Sequence, residues 1–274
     1  MRLRRIAVLI DGGFFLKRLS KLVESRFCSS PQQVADTARH LCKRHVQRLV
    51  GLDTDADSDG RWLDHVYRLF YYDATPFEGV AHHPLANQRI EFGKTGLALF
   101  RQQLFSELRR KRKFALRLGH VGKEGDWKIA TRLTKQLLKT RRWMDRIEDV
   151  LLNGAAAAPL DAQETSDLRA LLTAWRGLER DDVRLGLRQK GVDMRIGLDI
   201  ASITLKQQAY TFILVTGDSD FVPAAKLARR EGVEFLLDPL WQQVGDDLHE
   251  HVDGIVSVFP RPIDPSQAPS RDEH

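Results

Sequence analysis

The sequence is poor in cysteine and has no long apolar run. Its 274 residues include only two cysteines, Cys28 and Cys42. That is too few for a disulfide framework, and their spacing fits no metal motif, so buried reduced thiols are expected. No apolar stretch approaches the roughly 18 residues that span a bilayer. The longest near the start, Ile6–Ile10, runs straight into Asp11 and is too short for the core of a signal peptide. A cytoplasmic location is therefore expected. Internal repeats are absent, as is a Gly-x-Ser-x-Gly nucleophile elbow. With 42% apolar and 29% charged residues, the chain is neither mainly disordered nor collagen-like, and it is long enough for one or two domains with a sizeable core.

Charge is unevenly spread. The formal net charge is +6, yet Arg101–Arg146 alone holds fifteen Lys/Arg against four acids, a local excess of +11. The remainder is net acidic. A basic block beside an acidic remainder suggests a polyanionic partner, with a solvated helix face as the plainer reading.

Hydrophobic patterning predicts strands over Arg5–Ile10, Val66–Tyr72, Phe114–Leu118, Phe212–Val215 and Val233–Leu237, with a sixth at Ile255–Phe259. Helices are predicted over Phe14–Val23, from Ser30-Pro31 with Val34, Ala38, Leu41, His45 and Leu49 on one face, over Leu97–Lys113, Ile200–Tyr210 and Val222–Glu231. Gly122 to about Arg188 reads as helical with breaks at Asn153-Gly154 and Pro159, and Arg261–His274 as a disordered tail. Alternating strands and helices imply an α/β fold with a mostly parallel sheet, whose functional crevice lies beyond the carboxyl ends of the strands.

Four of these strands end in aspartate: Asp11, Asp73, Asp218 and Asp238. Carboxylates gathered on one rim repel in a dry crevice, and a divalent cation relieves that repulsion. Hard oxygen ligands select Mg²⁺ or Mn²⁺. Gly217-Asp218-Ser219-Asp220 is the sharpest local element; Asp220 or Ser219 is equally suited to capping the next helix. Asp193 and Asp199 are six residues apart, which is not one helix face. If both serve one site, Asp193 is expected before the helix proper. An acidic metal site beside a basic surface suits phosphodiester hydrolysis.

Other patterns carry less. Asp55–Val66 begins like a calcium loop, but Val66 stands where the bidentate glutamate is required. Gly93-Lys94-Thr95 ends like a phosphate loop, but Gln88 replaces its first glycine. Lys94 remains a weak phosphate contact. His249 and His251 are two apart, unsuited to a zinc pair.

The segments Ile6–Phe15 (IAVLIDGGFF), Arg68–Ala74 (RLFYYDA), Gln189–Ala201 (QKGVDMRIGLDIA) and Ile213–Asp238 (ILVTGDSDFVPAAKLARREGVEFLLD) together resemble the NYN family of PIN-like nucleases. The resemblance covers the two ends of the chain, so residues 1–260 are expected to be one such domain with helical insertions at about 20–61 and 123–188, followed by the tail. It implies a Rossmann-like PIN fold of five or six strands with core order 3-2-1-4-5, and a Mg²⁺- or Mn²⁺-dependent ribonuclease. Asp11, Asp193 and Asp218 are implied as catalytic, and Asp11, Asp193, Asp199, Asp218 and Asp220 as metal-binding. Where many relatives carry Asn two positions after the first acid, this chain has Gly13. Phe14, Lys190 and the run Arg109, Arg110, Lys111, Arg112 and Lys113 are the expected nucleic-acid contacts. RNA is the expected partner, membranes are not, and homo-oligomer formation is compatible. Two alternatives stand beside this reading: a non-catalytic RNA-binding module on the same fold, and a haloacid-dehalogenase-type phosphatase. The latter needs an aspartate where Gly13 stands.

Overall fold

A computed structural model describes residues 5–52, 60–143, 148 and 161–262. Residues 53–59, the predicted helix breaks at Asn153-Gly154 and Pro159, and most of the predicted tail lie outside the described residues. In chain order, β1 (Ile6–Asp11) leads into α1 (Gly12–Leu22) and α2 (Pro31–Val50). After β2 (Val66–Thr75) come the short strands β3 (Val80–His83) and β4 (Gln88–Glu91), then α3 (Gly96–Arg110) and β5 (Phe114–Ile129). Next are α4 (Thr131–Lys139), α5 (Ala162–Arg176), β6 (Val183–Lys190) and α6 (Val192–Leu205). The chain continues through β7 (Thr211–Val215), α7 (Val222–Arg230), β8 (Glu234–Asp238), α8 (Asp246–Glu250) and β9 (Gly254–Ile255).

The main sheet has seven strands in the order β6-β5-β2-β1-β7-β8-β9, not five or six. Strands β5, β2, β1, β7, β8 and β9 pair in parallel. The inner five reproduce the expected order 3-2-1-4-5 when counted along the chain. At the β5 edge, Gly119 abuts Lys190 and Gly186 abuts Glu124, so β6 runs opposite to β5.

Two compact units partition the chain. One comprises segments of 1–77, 93–121 and 189–274, the other segments of 78–92 and 122–188. In the first, Ile6–Ile10 of β1 are fully buried because the sheet is covered on both faces. Val8, Ile10, Leu69 and Tyr71 meet α1, α2 and α3, while Ala7, Leu9, Phe70 and Tyr72 meet α6 and α7. Helix α2 starts as the sequence implies. Ser30 and Gln33 form a reciprocal capping box with Pro31 at the first position, and Val34, Ala38, Leu41 and His45 are buried. A side-chain carbon at Gly12 would come within 2.6 Å of the Tyr72 carbonyl oxygen, so only glycine lets α1 start directly on β1.

In the second unit the outer half of β5 lies against β6, β3 pairs with β4, and α4 packs on α5. His83 is buried, its Nε2 3.0 Å from the carbonyls of Arg180 and Val183. Residues 122–129 and 183–188 are therefore strand rather than helix. Gly122 and Gly125 oppose a helix, and Gly125 adopts φ +84°. Helix α6 also begins eight residues earlier than predicted. Gly191 at φ +74° turns the chain out of β6, and Val192, Ile196, Ile200 and Ile203 then bury one face. Strand β9 is Gly254–Ile255, not Ile255–Phe259. Both cysteines are free; Cys42 is buried and Cys28 half-buried. Among the described residues, no helix is long and apolar enough to cross a membrane.

Candidate active site

Asp11 ends β1 at the carboxyl edge of the sheet, paired in register with Tyr72 of β2. It caps α1, accepting the Phe14 N–H on Oδ1 at 3.1 Å. Its other oxygen accepts the Thr216 hydroxyl at 3.4 Å. Burial holds its carboxyl above the usual range. The donors at Phe14, Thr216 and Gly13 oppose this, while the negative charge of Asp193 adds to it. The charge of Asp193 is thus felt at Asp11.

Asp193 sits in the first turn of α6, not before the helix. Because α6 starts at Val192, the chain brings Asp193 to the rim directly out of β6. Beyond β7, Thr216 links the next carboxylate: its Oγ1 accepts the Asp218 N–H at 3.3 Å. Asp218 Oδ1 accepts the Asp220 N–H at 3.0 Å, making Asp218 the cap of a short 3₁₀ turn at Ser219–Phe221. Neither Ser219 nor Asp220 caps α7, whose N-cap is Phe221 with no side-chain hydrogen bond. Asp220 and Asp193 line one groove of about 420 Å³ between α6 and α7, with Phe221 and Leu227 in its wall.

Asp199 is arranged differently. Arg117 holds it through two contacts, Nε at 2.8 Å and Nη2 at 3.1 Å, and Tyr72 donates its hydroxyl at 3.0 Å. Both carboxylate oxygens are engaged away from Asp11.

Asp73 lies within β2, which runs on to Thr75, and Asp238 ends β8. Asp73 is fully buried, pairs with Arg101 and accepts the Ala74 N–H at 2.8 Å. Asp238 is fully buried on His45 Nε2 (2.7 Å), the Ser257 hydroxyl (2.7 Å) and the Leu240 N–H (2.8 Å). Of the four predicted strand-end acids, Asp11 and Asp218 are joined through the Thr216 hydroxyl and Asp238 is taken up by internal partners; Asp73, although paired with Arg101, keeps a buried Oδ2 without a hydrogen-bond partner, and burial raises its carboxyl with the charge of Asp11 adding to the effect.

Phe14 is half-buried beside the Asp218 loop; a side-chain carbon at Gly217 would stand 2.9 Å from its ring. Lys190 is exposed at the end of β6. The run Arg109–Lys113 lies elsewhere. It closes α3 and precedes β5, so it occupies the amino edge of the sheet, where the Lys113 ammonium donates to the Val66 carbonyl. Val66 and Tyr72 are six strand residues apart, which separates that edge from Asp11 by about 20 Å. Lys111 is paired with Asp36, and Arg110 with Glu107 at 3.1 Å. Arg109 and Arg112 are exposed.

Thr216, Tyr72, Arg117 and Gln189 belong to this rim, and sequence reasoning gave them no role. Gln189 brings its amide oxygen to 3.7 Å from where a side-chain carbon on Gly13 would stand, a point 3.4 Å from Asp11 Oδ1. A polar group thus reaches the space left open by Gly13. The position of Thr216 directly before Gly217-Asp218 is the one signal that could have singled it out.

As the side chains stand, no group of three His, Cys, Asp or Glu among the described residues could hold a metal ion. The donor chemistry nevertheless suits a hard divalent cation: Asp11 and Asp193 offer carboxylate oxygens whose mutual repulsion a cation relieves.

Residues 155–257 match the family model of the NYN domain. The matched stretch contains Lys190, Asp193, Asp199, Asp218 and Asp220 and leaves out Asp11 and Arg109–Lys113. No curated protein and no solved structure matches the chain.

Proposed function

We propose, from the match of residues 155–257 to the NYN domain of the PIN-like superfamily, that the chain is a Mg²⁺- or Mn²⁺-dependent ribonuclease that hydrolyses RNA phosphodiester bonds at the rim formed by Asp11, Asp193 and Asp218. What supports this is the Thr216 hydroxyl joining Asp11 to the Asp218 loop at the carboxyl edge of the sheet, where burial already disfavours the charge of Asp11 and the charge of Asp193 adds to that. Carboxylates held together against their repulsion are expected where a cation is to be bound. Asp11 and Asp193 would hold the ion, with Asp218 contributing from the β7 loop and Asp220 close by in the groove. When bound, the ion supplies a nucleophile at neutral pH and neutralises charge developing on phosphate oxygens. Thr216 keeps Asp11 and Asp218 in register, and Phe14 offers a face on which a base stacks. Lys190 is suited to a phosphate near the site. The Arg109–Lys113 run is suited only to a distant part of a long RNA.

The same proposal treats residues 1–260 as one NYN domain carrying insertions at about 20–61 and 123–188, in a cytoplasmic protein. A second reading, an RNA-binding module that cleaves nothing, is favoured by the engagement of Asp199 with Arg117 instead of with the other acids. The test is incubation of the purified protein with single-stranded RNA in Mn²⁺ and in chelator, beside Asp218→Asn. The ribonuclease reading expects cleavage by the wild type in Mn²⁺ alone and none by the variant. Intact RNA retained in a salt-sensitive manner would support the binding module instead.

A further inference from the structure

Arg117 occupies a singular position on the rim. Asp11, Tyr72 and Arg117 are register partners across the adjacent strands β1, β2 and β5. At the usual strand spacing, the Arg117 backbone therefore stands about 10 Å along the rim from that of Asp11. Its guanidinium is fixed from two sides. Asp199 takes Nε and Nη2, and the Phe70 ring lies beneath at 5.7 Å. Asp199 is in turn held by the hydroxyl of the fully buried Tyr72. Yet the Arg117 side chain remains 48% exposed, against 18% for Asp199. Its Nη1 edge is not used by Asp199, and the planar fork suits a phosphate oxygen.

Resting on the ribonuclease reading, we infer that Arg117 is an RNA-backbone contact beside the cleavage site, and that Asp199 and Tyr72 are its positioning residues rather than parts of the metal site. Three features support this assignment. Both Asp199 oxygens are already engaged. Asp199 lies six residues from Asp193 on α6, so the two carboxylates leave different faces of the helix. An arginine ordered before binding loses little conformational freedom on meeting a phosphate, so the ion pair favours recognition even where it adds little to stability.

The experiment uses the full chain and two readouts. The first is Mn²⁺ binding, followed by the loss of the free-ion paramagnetic resonance signal. The second is affinity for a single-stranded RNA oligonucleotide in chelator across a salt series. Asp199→Asn retains an acceptor for Tyr72 and is expected to bind Mn²⁺ as the wild type does, whereas Asp11→Asn loses Mn²⁺. Arg117→Gln is expected to weaken RNA binding about tenfold, the scale of one charged hydrogen bond. It should also reduce the salt slope by about 0.7, the share of one phosphate. Asp199→Asn should weaken RNA binding in the same direction, and the double variant should be no weaker than Arg117→Gln alone. Loss of Mn²⁺ binding in Asp199→Asn, or unchanged RNA affinity and salt slope in Arg117→Gln, overturns the inference while leaving the ribonuclease reading intact. A wild type that neither binds nor cleaves RNA overturns both.

Discussion

The Thr216 hydroxyl donates to Asp11 Oδ2 at 3.4 Å while accepting the Asp218 N–H at 3.3 Å. One buried side chain thus couples the end of β1 to the loop after β7. Thr216→Val keeps the shape but removes the donor to Asp11 and the acceptor for Asp218. Orienting partners of metal-binding carboxylates commonly contribute 10- to 100-fold, so RNA cleavage should fall by about tenfold or more. Thr216→Ser should retain most activity. Initial rates of the two variants at saturating Mn²⁺ check this, and equal rates would remove Thr216 from the site.

Asp11 carries a stability signature that is separable from activity. Burial, reinforced by Asp193, raises its carboxyl above the ordinary value of 3.8. A group with a raised folded value contributes stability that is fully present below its unfolded value and is lost as pH rises through the folded one. In chelator, Asp11→Asn should therefore melt at a higher temperature than the wild type near neutral pH, and the gap should close as pH falls below about 4. Added Mn²⁺ should raise the wild-type midpoint and leave the variant unmoved. Melting curves over a pH series, with and without Mn²⁺, provide the check.

Asp11 and Asp238 occupy equivalent positions at the ends of parallel strands, yet they do different work. Removal of Asp238 leaves buried His45, the Ser257 hydroxyl and the Leu240 N–H without their acceptor. Asp238→Ala should cost about 3–5 kcal/mol, as expected when one partner of a buried pair is removed. Mn²⁺ affinity of the folded fraction should not change. Urea unfolding measures the first expectation, and Mn²⁺ titration of the native protein the second.

That contrast marks where the sequence was informative. β1, β7 and β8 stood out because a strand buried on both faces must be a short apolar run, and α2 because Ser30 and Pro31 are placed for a helix start. The strand-end aspartates looked alike because sequence position does not reveal a partner. Arg101 lies 28 residues from Asp73, and His45 193 from Asp238. The start of α6 was masked by the polar pair Asp193 and Arg195 over an apolar face, and β6 by its exposed arginines at 184 and 188. The Arg109–Lys113 run was legible as a cluster, but its edge of the sheet was fixed only by the direction of α3.

The position of that run predicts a length dependence. Arg109→Gln with Arg112→Gln removes two exposed charges about 20 Å from Asp11. Affinity for long RNA should decrease and its salt slope flatten, by about 0.7 for each phosphate that is no longer neutralised. Cleavage of an oligonucleotide too short to span the sheet should proceed at the wild-type rate. Competition between long and short substrates distinguishes the two; a slower reaction on the short substrate would place the run at the site itself.

The pairing of Asp193 with Asp11 is tested most directly by the rate of Mn²⁺-dependent RNA cleavage in Asp193→Asn. Asparagine preserves the size of the side chain and the start of α6 while removing the charge that faces Asp11. Cleavage should collapse to the level of the wild type in chelator, with the melting temperature maintained or raised. Wild-type rates in a folded Asp193→Asn protein would contradict the account.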